Sequence, residues 1–211
     1  MNSYPSIIKF ISLLHTFKAL LHIYLFQTSP SRSVIEKDME RWIKETNDTH
    51  LLSLPRWRRL VWLLWRYREF RNLFYYRIKM EHRITTRILL EFAQLIYKPK
   101  DSLYIKTHSI GEGFFIQHGD CTGIGAERVG RNFWVNQQVT VGYSNDNDRP
   151  VIGDNVHITA GAKVFGKITI GDNVIIGANA VVMKDVPSNC TVVGVPAYII
   201  KRDGVKVKEP L

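Results

Sequence analysis

The stretch IGDNVHITAGAKVFGKITIGDNVIIGANAVV, residues 152–182, places an aliphatic side chain at every sixth position: Ile152, Ile158, Val164, Ile170, Ile176 and Val182. Upstream, Val129, Val135 and Val141 keep the same step, and so do Ile110 and Ile116. Glycine follows many of them, as in Ile110-Gly111, Val129-Gly130, Val141-Gly142, Ile152-Gly153, Ile170-Gly171 and Ile176-Gly177. A six-residue period suits a triangular coil of about eighteen residues, each step giving one short flat strand and one corner. The aliphatic residue points into the prism, and β-branched side chains suit a stacked, pleated surface. Gly or Asn at the corner adopts backbone angles that other residues resist. Asp154-Asn155 and Asp172-Asn173 fit such turns. One coil alone cannot bury its interior, so the coils must stack. The expected fold over residues 101–200 is therefore mainly β, a parallel β-helix.

Two places break the rhythm. Between Ile124-Gly125 and Val129-Gly130 the step is five, near His118. The polar run Tyr143-Ser144-Asn145-Asp146-Asn147-Asp148-Arg149-Pro150 leaves the prism as a loop, and loops on a rigid scaffold often carry function.

Residues 1–100 obey a different grammar. Residues 6–26, 33–46 and about 55–98 read as helices. Ser33 with Glu36 three residues later would form a capping box, and Pro55 would open the third helix. In that helix Trp62, Trp65 and Leu73 are expected in a core, with arginine stems outside. After the apolar run 6–26, Gln27-Thr28-Ser29-Pro30 is a poor match to a signal-peptide cleavage site, and Lys9, His15, Lys18 and His22 interrupt the run as a membrane span. It is expected to pack against a partner subunit or to lie on a membrane surface. Residues 201–211 are expected as a C-terminal tail.

The formal net charge is +10, and residues 1–100, with 18 Lys/Arg and 8 Asp/Glu, hold the whole excess. Such asymmetry suggests a polyanionic partner. No nucleic-acid recognition module accompanies it, so no nucleic-acid partner is expected. At 23% charged and 45% hydrophobic the chain is no disordered polyelectrolyte. Cys121 and Cys190 do not form a disulfide framework and read as free thiols of a reducing cytoplasm. No metal-ligand cluster is visible, so no catalytic metal is expected.

Specific motifs point further. His118-Gly119-Asp120-Cys121-Thr122-Gly123-Ile124-Gly125 resembles the His-Ala-Thr-Gly-Ile segment of the serine acetyltransferase branch of the hexapeptide-repeat acyltransferases. Val135-Asn136-Gln137-Gln138-Val139-Thr140-Val141-Gly142, Ile158-Thr159-Ala160-Gly161-Ala162-Lys163-Val164-Phe165-Gly166 and the ending Gly194-Val195-Pro196-Ala197 resemble further motifs of that branch. Tyr75-Tyr76-Arg77-Ile78 is similar to its helix before the β-helix. The similarity covers roughly residues 70–203 and leaves residues 1–54 without a counterpart.

The resemblance implies a left-handed β-helix, against the usual crossover hand, assembled as a homotrimer or a dimer of trimers. Acetyl-CoA would lie in the groove between two prisms. His118 would act as general base on an acceptor hydroxyl, with a backbone N–H near Gly142 facing the oxyanion. Asp120 is the nearest carboxylate in sequence that would orient His118. The resemblance carries CoA contacts to Gly142, Tyr143, Ala160, Gly161, Lys163 and Ala178, with Lys201 and Arg202 near its phosphates. Cys121 allows a covalent route in principle, but the family transfers the acyl group directly. His108 and His157 are weaker candidates.

The departures concern the acceptor. The acid that directly precedes the family's catalytic His is Gln117 here. A second, orienting Asp falls on Leu103 in an ungapped match. The loop's His is missing from Asp148-Arg149-Pro150, although Arg149 survives and could face an acidic group. An amino-acid ammonium without its carboxylate would bind poorly. These changes lean the expectation towards a saccharide acceptor, as in the O-acetyltransferases of capsule, O-antigen and exopolysaccharide clusters, with Gln117 and Arg149 as substrate contacts. Basic residues near the inner leaflet would suit a lipid- or nucleotide-linked sugar. The alternatives are serine O-acetylation for cysteine synthesis and a non-catalytic β-helix scaffold.

Overall fold

The computed structural model describes residues 14–80, 83–145 and 148–211. The first thirteen residues, part of the first expected helix, lie outside this range. The chain divides into two units, Met1–Pro99 and Lys100–Leu211.

In the first unit, residues 14–18 are helical. They are followed by α1 (Leu20–Thr28), α2 (Arg32–Glu45), α3 (Arg56–Arg66), α4 (Arg68–Lys79) and α5 (Ile84–Ile96). The capping box expected from Ser33 and Glu36 does not form. Ser31 takes the N-cap position of α2, without a side-chain cap bond, and Ser33 lies inside the helix. Glu36 instead pairs with Arg32 and Arg56, at 3.0 and 3.3 Å.

The single helix expected over 55–98 is broken into three. Tyr67 leaves the helical region (φ −121°, ψ 113°), and its hydroxyl donates to Asp48 Oδ2 at 2.9 Å. The guanidinium of Arg71 covers the carbonyls that α3 leaves open, Leu64 O at 2.6 Å and Trp65 O at 3.0 Å. A second break falls at Arg83 (ψ 126°). These breaks reset the helical phase. Leu60, Leu63 and Leu64 therefore fill the core with Trp42, Phe70, Leu73 and Phe74. Trp62 is half-buried and Trp65 is exposed, where the sequence put both inside.

In the second unit, strands of two to five residues, with one of six at the C-terminal end, stack in three sheets. The aliphatic repeat falls into register as three inward columns. One is Ile124, Val141, Val164 and Val182. The second is Ile110, Val129, Ile152 and Ile170. The third is Ile116, Val135, Ile158, Ile176 and Val192. All are buried. One corner is held by an amide ladder, Asn132 to Asn155 to Asn173 to Asn189, with Nδ2–Oδ1 distances of 2.9, 3.0 and 2.9 Å. All four residues have φ between 56° and 60°, a conformation asparagine tolerates better than most residues.

Residues 201–211, expected as a tail, continue an antiparallel hairpin. Strands Tyr198–Arg202 and Val205–Pro210 extend from Cys190–Val193. They are joined by Asp203 (φ 48°) and Gly204 (φ 85°). Positive φ at both central residues matches the twist of a two-residue hairpin, which Asp-Gly favours.

Candidate active site

The coil containing His118 is longer than its neighbours. The step from Ile116 to Ile124 is eight, where the regular step is six, so two extra residues enter the corner at Gln117–Cys121. The five-residue step that follows compensates one of them. The insertion folds tightly: His118, Gly119 and Cys121 all have positive φ, at 66°, 50° and 51°. Non-glycine residues rarely adopt this region, and such strain collects at functional sites. The imidazole of His118 is exposed, and no side chain among the described residues hydrogen-bonds to it.

The surroundings pin the backbone rather than the ring. Lys100 Nζ donates to the carbonyl oxygen of His118 at 2.6 Å and to Asp120 Oδ2 at 2.8 Å. Ser102 donates weakly to Asp120 Oδ1 at 3.4 Å. Hydrogen bonding from Lys100 holds the Asp120 carboxyl below the usual carboxylate range. Asp120 thus lies beside His118, but its oxygens serve Lys100 and Ser102 and not the imidazole orientation expected of it. Lys100 was missed in the sequence. It sits 18 residues before His118, one coil back, so the coil period is the signal that exposes it. Leu103 is buried and pairs with Thr122.

Gln117 heads a polar chain across three coils. Its Oε1 accepts from Asn136 Nδ2 at 3.0 Å, and Asn136 Oδ1 accepts from His157 Nε2 at 3.1 Å. His157 also stacks on Trp134 with ring centroids 4.6 Å apart. Its Nε2 therefore donates within this chain.

Several expected residues share the edge of the prism that His118 begins. Backbone bonds step along it: Gln138 N to Asp120 O, Gly161 N to Gln137 O, and Asn179 N to Ala160 O. This edge carries Gln117, His118, Asp120, Ala160, Gly161 and the exposed Ala178. Gly161 (φ 76°) is small for an internal reason, because a Cβ there would lie 1.9 Å from Asn179 Oδ1. Lys163 donates to Gln138 O at 2.6 Å, which ties its ammonium to the same edge.

The remaining residues lie elsewhere. Gly142 ends strand Thr140–Gly142, and a Cβ there would meet nothing within 4 Å. Tyr143 begins the loop, and Arg149 closes over its ring at 5.2 Å from the centroid. The loop neck is drawn together by Asp148, which accepts from the backbone N–H groups of Ser144 and Asn145 and from the Ser144 hydroxyl. Lys201 is exposed in the C-terminal hairpin, and Arg202 is engaged twice by Glu209, at 3.1 and 2.6 Å. A cavity of about 600 Å³ opens against Met183, Val195, Pro196, Ala197 and Tyr198, around the Gly-Val-Pro-Ala ending. Among the described residues no group of three or more His, Cys, Asp or Glu is placed to hold a metal ion.

The repeat and the fold are shared with known proteins. The family described as "Bacterial transferase hexapeptide (six repeats)" matches residues 149–184. A serine acetyltransferase of Staphylococcus aureus (strain Mu50 / ATCC 700699) is 50% identical over 102 residues, which are 46% of this chain and 48% of that protein. The chain spans about half the length of the curated relatives it matches. The crystal structure of serine acetyltransferase from Brucella abortus strain S19 aligns with a TM-score of 0.61 at 26% identity, over 85% of this chain and 72% of that one. Serine acetyltransferase of Neisseria gonorrhoeae in complex with serine aligns with a TM-score of 0.60 at 26% identity, over 86% and 73%.

Fold, repeat and matches together define a left-handed parallel β-helix with hexapeptide repeats, similar to those of the hexapeptide-repeat acyltransferase class. Within that class the similarity is to the serine acetyltransferase-like branch.

Proposed function

We propose that the chain is an acetyl-CoA-dependent O-acetyltransferase whose acceptor is the hydroxyl of serine. The relatives favour serine over the saccharide expected from the sequence: they are serine acetyltransferases, and one was solved with serine bound. The observation that carries acetyl transfer is His118 itself. Its imidazole is free of internal partners, stands on a pinned positive-φ corner, and heads an edge bearing Ala160, Gly161 and Ala178.

In this reading the neutral imidazole takes the hydroxyl proton as the oxygen attacks the thioester carbonyl. The carbon–sulfur bond then breaks, and the imidazolium returns the proton to the departing thiolate. A backbone N–H near Gly142 of an adjacent copy faces the oxyanion. In this reading the copies form a homotrimer, with acetyl-CoA between two prisms. Its place is the cytoplasm, where acetyl-CoA is available and Cys121 and Cys190 stay as thiols.

A specific observation favours a second reading. Gln117 and Asn136 satisfy each other where an acid would meet an ammonium, and Arg149 rests on Tyr143 without a neighbouring His. A saccharide hydroxyl needs no ammonium pocket. Thiol release from acetyl-CoA, measured with serine and with a panel of saccharides, decides the acceptor. Turnover with serine supports the main reading and turnover with a saccharide alone supports the second. No turnover and no CoA binding would mean a non-catalytic scaffold.

A further inference from the structure

We propose that the outer faces of α1 and α5 form a docking surface for an anionic lipid bilayer. The inference goes beyond acetyl transfer and does not depend on it.

The helices pair through their inner faces. Ala19 packs with Tyr97, and His22 Nε2 lies 2.9 Å from the hydroxyl of Tyr75, which itself donates to Tyr97 O at 2.6 Å. Each helix turns a second apolar stripe outward. On α5, Ile84, Ile88, Phe92 and Leu95 recur at steps of four, four and three, and are 67%, 53%, 58% and 79% exposed. On α1 and the helical residues before it, Leu14, Phe17, Leu20 and Tyr24 form a similar exposed stripe. Single exposed apolar residues are ordinary, but two such stripes on helices in contact are not.

Charge selects the occupant. Lys18, Arg83, Arg87 and Lys98 are exposed on these same segments, with Glu91 as the exposed acid among them. Residues 1–100 carry 18 basic and 8 acidic side chains. A second copy docked here would oppose two strongly basic units. An anionic bilayer accepts the apolar stripes and attracts the basic rim, as it does with amphipathic surface helices. Among the described residues no helix is long and apolar enough to cross a membrane, so the contact lies in the plane of the interface.

The test is co-sedimentation of the full chain with vesicles of phosphatidylcholine alone or mixed with phosphatidylglycerol. Binding should be about tenfold stronger to the anionic vesicles and should weaken as salt rises. The exposed double substitution Ile88→Glu/Leu95→Glu should abolish it with helix content and melting temperature unchanged. Phe17→Asn, a milder change on the other helix, should weaken it, and Arg83→Gln/Arg87→Gln should remove the anionic preference. Failure to bind either vesicle would overturn the proposal. So would a double variant that binds vesicles normally while losing a larger assembly in analytical ultracentrifugation, because the face would then join copies of the chain.

Discussion

The ammonium of Lys100 donates to the carbonyl oxygen of His118 at 2.6 Å while also holding Asp120 Oδ2 at 2.8 Å. One cation thereby closes the two-residue insertion and fixes a histidine in the left-handed region (φ 66°). Under the proposed function Lys100 serves as a positioning residue. Small misplacements of a reacting group cost about a hundredfold in rate. Lys100→Met should therefore lower kcat by about tenfold to a hundredfold with little change in KM for acetyl-CoA, and Lys100→Arg should recover part of the loss. A change confined to stability would leave kcat per folded molecule unchanged. The depressed Asp120 carboxyl keeps the clamp ionised above the ordinary carboxylate range, and the clamp is lost as pH falls through that lowered value.

His118 should be replaced by asparagine, which tolerates positive φ, so that the corner survives. Loss of a general base costs on the order of a hundredfold to ten-thousandfold. Thiol release by His118→Asn should fall by that amount with an unchanged melting temperature. A normal rate would remove His118 from the chemistry.

Gly161→Ala should destabilise the β-helix by about 1–3 kcal/mol. The new methyl would meet Asn179 Oδ1 at 1.9 Å on a residue already at φ 76°. Differential scanning calorimetry measures the loss, and the paired variant Gly161→Ala/Asn179→Ala should recover part of it.

Asp38 and Arg77 form a buried ion pair, Nε to Oδ2 at 2.8 Å and a second bond at 3.2 Å, between α2 and α4. Removing the carboxylate breaks this pair inside the core. Asp38→Ala should cost about 3–5 kcal/mol in denaturant unfolding.

His22 is fully buried, and desolvation pushes its pKa down to about 4 from 6.5. Because the Tyr75 hydroxyl proton is committed to Tyr97 O, His22 must donate through Nε2. Its Nδ1 is then left without a hydrogen-bond partner, and the Ala93 backbone only partly offsets the desolvation. Between pH 6.5 and about 4 the unfolded chain binds the proton and the folded chain does not. Stability should thus fall as pH drops through this window, by on the order of 3 kcal/mol in total. His22→Phe should flatten this part of the stability–pH curve in urea unfolding.

The repeat was legible because a solenoid is quasi-one-dimensional. Each aliphatic at a step of six meets its equivalent one coil away, so Ile152 finds Ile170 and Ile158 finds Ile176 without distant pairing. The Asp203-Gly204 hairpin is equally readable from turn chemistry, although the short segment around it reads as a tail. His118 stands out as a candidate through its motif. Its support was not legible, because Lys100 and Asn136 belong to other coils and meet the site only when the prism closes.

The helical unit yielded less. Amphipathic spacing located helices, but Tyr67 and Arg71 decided where one ended, through bonds to Asp48 and to the carbonyls of Leu64 and Trp65. Local order thus determined the β-helix, since its contacts repeat at a fixed interval along the chain. Tertiary packing alone decided the helix breaks, the Lys100 clamp on His118 and which apolar stripes remained outside. Those outcomes depend on partners whose separation along the chain follows no period.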